Sequence, residues 1–391
     1  MFKKTKIDLT YIKPNSSFIR PLFSEEGHKI LESRVELTQP VLDTIISKYG
    51  SIVYSIQTSE KVVIPHYRMK IAYNSSKEIL DEIEKTDKLS KTGYKIAEKV
   101  IEDVLSDLYT IQIDEISLLK ELMSFDEYLY NHSVNVGIMT AIFGKGLKMF
   151  SREELKSLTL GAYLIDIGQK KLDKQLLNKE GRYDVNELTK IRRHPQLGYE
   201  LIKNINDKDA IVLQSILFHH EKFNNNGYYQ LPYENLPIYP KLITVCDIYD
   251  ALTTVRPFRK EALSAPNALR SVVNTSDLMV DRNIIKDFVR IMTPLLHEGE
   301  SFIYPGDICE LNSQELALVK SINPSDILNP VVLVFCKFER IKNNLKVIYY
   351  KHVTEIDLNS DVRYVNKILN NENQISMIKQ ALIDKKLMDE I

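Results

Sequence analysis

The stretch His219 to Tyr229 reads HHEKFNNNGYY and concentrates more chemistry than any other part of the chain. Two adjacent imidazoles and the Glu221 carboxylate fall within one turn, and that donor mix suits Mn, Fe, Co or Zn. The Asn-Asn-Asn-Gly run that follows forces a turn, because Asn and Gly tolerate left-handed backbone angles. One account is a metal-binding helix end running into a shaped loop. The other is a pair of ordinary surface histidines at a helix end.

Further residues of the same chemistry recur on apolar faces. His132, Val136, Met139 and Phe143 fall at i, i+4, i+7 and i+11, so His132 belongs to a buried stripe. Leu155, Leu158, Ala162, Ile165 and Asp166 share a second stripe, which predicts an inward Asp166. A buried carboxylate is costly unless paired or metal-bound. A paired structural carboxylate or a helix cap is the alternative. His194 precedes Pro195 at an expected helix start. Asp247 lies one turn after Ile243 and one before Asp250. Singly, each could be a hydrogen-bonded core residue. Together, four histidines and two aspartates on inward faces of one segment are accounted for by a binuclear metal centre. Two cations about 3.5–4 Å apart could clamp the attacking and leaving oxygens of a displacement. A water bridging them loses a proton near neutral pH and becomes the attacking hydroxide. Such a site needs anionic Asp and neutral His, so its activity should fall in acid.

These residues must be positioned by helices. From about 119 to 298 apolar residues recur every three to four positions, with breaks at Gly181-Arg182, His194-Pro195, the Asn224–Gly227 turn and Pro232 to Pro240. This predicts an all-α domain. Residues 1–65 predict a small α+β domain, with a helix near Thr38–Tyr49 and a strand at Ile52–Ile56. Residues 66–118 predict a charged helical linker, a connecting helix or helical hairpin, with Ile79, Ile83, Ile96, Val100, Ile101 and Leu105 as an intermittent apolar stripe. Residues 299–391 predict a small β subdomain, with strands at 302–304, 308–311, 316–319, 331–338 and 345–350, then a helical tail from about Val362 to Asp389. The fold class is therefore mainly α, with a small domain on either side.

The net charge of -1 gives no overall pull toward DNA, RNA or an acidic membrane. Cys246, Cys309 and Cys336 are few and far apart, which argues against a disulfide framework and for a reducing compartment. The segment MFKKTKIDLT has no apolar run after its lysines, and no apolar run approaches membrane-spanning length. The expectation is a cytoplasmic protein without membrane insertion.

The helical segment resembles the HD-GYP family, a branch of the HD phosphohydrolases. The resemblance rests on Asp126 to Val136 around His132, on Asp166-Ile167-Gly168, on His194-Pro195 with Gly198, on His219-His220-Glu221 with Gly227-Tyr228, and on Asp247 to Thr253 followed by Arg256-Pro257-Phe258-Arg259. It implies a metal-dependent cyclic di-GMP phosphodiesterase, yielding pGpG, GMP or both, with two divalent ions, Mn or Fe. His132, Asp166 and Asp247 would hold one ion. Asp166 would bridge to a second ion on His194, His219 and His220. Tyr128 favours two metals over three. Asn224, Gly227 and Tyr228 would shape the base pocket. Arg256 and Arg259 would meet phosphate, or else tie the loop or Asp250. The resemblance further implies signalling-protein partners, diguanylate cyclases among them, and a homodimer.

The sequence departs from the family at chemically serious places. The signature His-Asp pair is Ile165-Asp166, which removes one imidazole and leaves room for only one bound ion as an alternative. Gln169 stands where a lysine is expected, with Lys170 next to it; with Asp166 these are the catalytic candidates. In the loop, Asn224, Asn225 and Tyr229 replace Asp, Gly and Pro. The alternative function is a catalytically impaired member that binds the dinucleotide or partners.

Overall fold

The protein is described from a computed structural model, covering residues 3–12, 14–18, 22–24, 29–31, 35–57, 66–110, 128–177, 179, 181–206, 209–254, 262–293, 301–322, 326–341, 344–385 and 387. The chain divides into two compact units, Val62–Leu295 on one hand and Met1–Lys61 with Leu296–Ile391 on the other.

The N-terminal part of the second of these is α+β. Strands β1 (Lys3–Asp8), β2 (Ser16–Ser17), β3 (Leu22–Phe23), β4 (Lys29–Leu31) and β5 (Glu36–Leu37) precede helix α1 (Gln39–Tyr49) and strand β6 (Ile52–Gln57). The main sheet runs β1-β6-β3-β4, with β2 and β5 as a separate pair. Helix α1 starts after Thr38, with Pro40 in its first turn, and stops at Gly50, whose φ of 83° suits only glycine comfortably. Its Leu42 and Ile45 join Leu9, Leu22, Leu37 and Val53 in one core.

The helical unit holds α2 (His66–Thr86), α3 (Lys91–Tyr109), α4 (Tyr128–Leu147), α5 (Arg152–Tyr163), α6 (Lys174–Leu177), α7 (Val185–Ile191), α8 (His194–Lys203), α9 (Ala210–Phe218), α10 (Ile238–Thr253), α11 (Ala265–Val273) and α12 (Arg282–Met292). Helix α4 is buried on every side from Tyr130 to Gly144, the mark of a central helix. It packs against α2, α5, α10 and α12. Helices α2 and α3 contact α4 and α5, so the stretch expected as a linker is instead part of this unit. The apolar residues read there as an intermittent stripe, among them Ile79, Ile83, Val100, Ile101 and Leu105, are fully buried.

Two glycines bring the site's elements together. A Cβ on Gly168 would lie 2.0 Å from the His194 carbonyl oxygen and 2.5 Å from the Gly198 nitrogen. The 3-10 turn at Ile167–Lys171 therefore packs backbone to backbone on the start of α8. This contact sets Asp166 beside His194. The expected helical stripe through Asp166 does not form: α5 ends at Tyr163 and Asp166 lies in the turn that follows.

The C-terminal part has strands β7 (Ile308–Leu311), β8 (Glu315–Ser321), β9 (Val331–Ile341), β10 (Asn344–Asp357) and β11 (Val365–Ile368), then helix α13 (Glu372–Asp384). The five strands form one antiparallel sheet in the order β10-β9-β8-β7-β11. Two expectations are corrected here. Phe302 and Ile303 are buried but lie in irregular backbone. The tail is not helical from Val362, because Val365 to Ile368 pairs with β7 and buries both its end residues. With Asn366 and Lys367 between its two apolar ends, so short a segment has no period that separates strand from helix.

Candidate metal centre

Six polar side chains from five elements converge inside the helical unit. Helix α4 supplies His132, and the turn after α5 supplies Asp166. His194 opens α8, His219 and His220 follow the last residue of α9, and Asp247 comes from α10. His132, Asp166, His194 and His219 are buried, and His220 and Asp247 are partly buried.

The second nitrogen of each ring explains how they aim. His194 Nδ1 donates to the Ile191 carbonyl at 2.8 Å, and His219 Nδ1 to the Ile216 carbonyl at 2.8 Å. His132 Nδ1 lies 2.7 Å from Asp250 Oδ2. A carbonyl or carboxylate partner fixes the proton on Nδ1 and turns Nε2 inward. Those Nε2 atoms meet one carboxylate. His132 Nε2 lies 3.2 Å from Asp166 Oδ2, His194 Nε2 3.2 Å from Asp166 Oδ1, and His219 Nε2 4.0 Å from that same Oδ1. His132 Nε2 is also 3.4 Å from Asp247 Oδ1, and His220 Nδ1 is 3.9 Å from Asp247 Oδ2. The donor atoms of His194, His219 and His220 all lie within 4.8 Å of one another.

Asp166 Oδ1 is buried and takes no hydrogen bond, despite the nearby imidazoles. A buried carboxylate oxygen without a donor costs free energy unless a cation completes it. The mixed imidazole–carboxylate set fits a divalent transition metal.

The electrostatics agree with that fit. Burial works against charge on Asp166, but the imidazoles of His132 and His194 outweigh it and hold the carboxyl well below its usual range. Burial, reinforced by His194, lowers His219 to about 4. Burial and its two histidine neighbours also hold His220 well below the usual range. An anionic Asp166 beside neutral His219 and His220 is the protonation state that metal binding needs. His132 differs: burial opposes its charge, but Asp166 and Asp250 raise it to about 10. A metal there would displace a proton.

The loop after the tandem histidines is organised by Glu221, which is 2% exposed. Its Oε1 accepts from the Tyr229 N–H at 2.7 Å and its Oε2 from the Leu231 N–H at 2.8 Å. A Cβ on Gly227 would sit 2.5 Å from the Glu221 Cα and Oε1, so only glycine packs there. Glu221 is thus a loop anchor, and not the third donor that its place beside two histidines suggests. Tyr228 is laid over the cluster, its ring centroid 4.5 Å from that of His220 and 6.1 Å from that of His194. Asn224 is exposed, and its Oδ1 accepts from the Asn226 N–H at 3.1 Å, a turn-forming use.

Not every expected residue is brought to the cluster. Lys170 Nζ pairs with Glu84 Oε2 at 2.9 Å and lies over the Tyr130 ring, 5.1 Å from its centroid. Gln169 sits half-buried in the 3-10 turn. Ile165 is 1% exposed, in the turn beside Asp166. Arg256 and Arg259 lie outside the described residues, and so does the side chain of Tyr128. Sequence reasoning missed the roles of Asp250 and its supports. Asp250 Oδ1 accepts from Asn135 Nδ2 at 2.8 Å and from Thr254 Oγ1 at 3.1 Å. The signal was present as spacing, Asn135 at i+3 from His132 and Asp250 at i+3 from Asp247.

Among the described residues, no helix is long and apolar enough to cross a membrane. Residues 118–284 match the HD domain family. Cyclic di-GMP phosphodiesterase PA4108 of Pseudomonas aeruginosa is 30% identical over 219 residues, 56% of this chain and 50% of that protein. Cyclic di-GMP phosphodiesterase response regulator RpfG of Xanthomonas campestris is 34% identical over 121 residues, 30% of this chain and 32% of that protein. A cyclic di-GMP phosphodiesterase of Vibrio cholerae is 28% identical over 144 residues, 35% of this chain and 29% of that protein. The chain thus spans half or less of the length of these relatives. The helical segment of this chain is thus similar to the HD domain family and to proteins named as cyclic di-GMP phosphodiesterases.

Proposed function

We propose that this chain is a metal-dependent phosphodiesterase that hydrolyses cyclic di-GMP to pGpG, GMP or both. The observation that carries this is the convergence of three imidazoles, each locked through Nδ1, on the buried and incompletely bonded Asp166. The names of the similar proteins support the substrate.

His194, His219, His220 and Asp166 would hold one divalent ion, and His132, Asp247 and Asp166 a second. Mn and Fe suit this donor set best. When bound, the ions would neutralise phosphate charge and acidify a water. The chain's own residues do the rest. Asp250 keeps His132 in the correct tautomer. Glu221 and Gly227 hold Tyr228 over His220. Tyr228, with a pKa raised by burial to about 12, keeps its hydroxyl proton and could donate it to a substrate oxygen or base edge. Three buried free cysteines accord with a reducing, cytoplasmic setting.

A second reading is an impaired enzyme that senses the dinucleotide. It is favoured by Ile165 in place of an imidazole and by Lys170, which is committed to Glu84. The test is conversion of cyclic di-GMP to linear product by protein supplied anaerobically with Mn or Fe. Turnover is expected. No turnover, with measurable dinucleotide binding, would replace the first reading by the second.

A further inference from the structure

Among the described residues, Arg192 presents a cation without a carboxylate partner at the rim of the histidine–aspartate cluster. It ends α7, two residues before His194, and is exposed. Its guanidinium carbon lies 5.4 Å from the Tyr228 ring centroid. That ring in turn lies on His220. Arg192, Tyr228 and His220 therefore form a layered series leading outward from the cluster.

Among the described residues, Arg192 has no carboxylate partner. The contrast with Lys170, the cation nearest the expected lysine position, is direct, since Lys170 is paired with Glu84. A guanidinium resting over an aromatic face is held without using its N–H donors. Its planar fork stays free for two parallel hydrogen bonds, the geometry that phosphate oxygens match.

Arg192 is one ring further out than His220. It is therefore set to meet a different phosphate from the one held at the histidines. We infer that Arg192 binds the second, non-scissile phosphate of a two-phosphate substrate, with Tyr228 as the platform that aims it. This rests on the phosphodiesterase reading and deepens it, by assigning a residue that discriminates a cyclic dinucleotide from a simple diester.

The test compares wild type with Arg192→Ala, Arg192→Lys and, as a control, Arg193→Ala, whose exposed side chain makes no ring contact with Tyr228 among the described residues. Each is assayed with cyclic di-GMP and with bis(p-nitrophenyl) phosphate, which has a single phosphate. Arg192→Ala should raise KM for cyclic di-GMP about tenfold, leave kcat within about twofold, and leave the simple diester unaffected. Arg192→Lys should recover part of the loss, because it restores charge without the fork. Arg193→Ala should match wild type. Metal content and melting temperature should be the same throughout. An unchanged KM for Arg192→Ala, or an equal loss on both substrates, would overturn the inference. If wild type turns over neither substrate, calorimetric binding of cyclic di-GMP decides separately. Weaker binding by Arg192→Ala would then support the inference while the enzymatic reading fails, and equal or absent binding would overturn it.

Discussion

The two sides of the Asp166 carboxylate are furnished differently. On the Oδ1 side stand His194 and His219, with His220 alongside, and two of these rings are locked by main-chain carbonyls. On the Oδ2 side stand His132 and Asp247, with Ile165 in the position where the resemblance implies an imidazole. Burial leaves His219 neutral, with a pKa of about 4, whereas carboxylates hold His132 charged, up to about 10. The first side is prepared to receive a cation. The second must release a proton and offers one imidazole against three. The difference teaches that sharing one carboxylate does not make two sites equal, and that the His194 side should fill first and empty last.

The largest expected effect comes from striking the stronger side. His194→Ala should lower turnover of cyclic di-GMP roughly a thousandfold, because several kcal/mol of charge stabilisation depends on the ion it holds. Steady-state rates at saturating metal check this, and a loss under tenfold would break the asymmetry. Next is Asp250→Asn, which unlocks only His132. It should weaken metal binding about 10–100-fold at the poorer side and spare the other. Graded chelation followed by metal analysis would then show the first-released ion leaving earlier than in wild type.

Glu221→Ala should destabilise the fold by about 1–3 kcal/mol for each of the two N–H groups it orphans, with the bound metal retained. Denaturant unfolding and metal content together distinguish this anchor from a ligand; lost metal in a folded variant would make Glu221 a donor after all. Ile165→His should raise metal occupancy of the weaker side by about threefold or more if the missing imidazole limits it. Unchanged occupancy would assign the limitation elsewhere.

The smallest effect is a pH dependence of the metal-free protein. His219 has a folded pKa of about 4 against 6.5 for an ordinary histidine. The unfolded chain therefore binds a proton that the folded one refuses. The His219 contribution to stability is lost as pH drops from about 6.5 towards 4, and His220 and Asp166, both held below their usual ranges, carry the loss further into acid. Calorimetric melting across this window checks it, and a flat Tm would mean that His219 is not held neutral.

Much of this site was legible in the sequence, for reasons that residue spacing conveys. A histidine at a stripe position, as His132 is, must face inward whatever surrounds it. The loop's turn was legible because Asn and Gly carry their conformational preference locally. Asn225 does adopt a positive φ, of 59°. Roles set by long-range contact were not legible. Asp166 lies in a turn because Gly168 packs on α8, and no local pattern encodes that. Glu221 looks like a donor in sequence, yet its carboxylate serves N–H groups eight and ten residues later. Lys170 is drawn away by Glu84, some 86 positions earlier in the chain. In the C-terminal sheet, β11 was missed because its partner β7 lies more than fifty residues back.

The central claim is that Asp166 is shared by two metal ions. Its most direct test is the number of ions per chain in wild type and Asp166→Ala, both reconstituted anaerobically with Mn or Fe and freed of excess metal. The account predicts about two ions per chain in wild type and essentially none in the folded variant. Full occupancy in folded Asp166→Ala would contradict it.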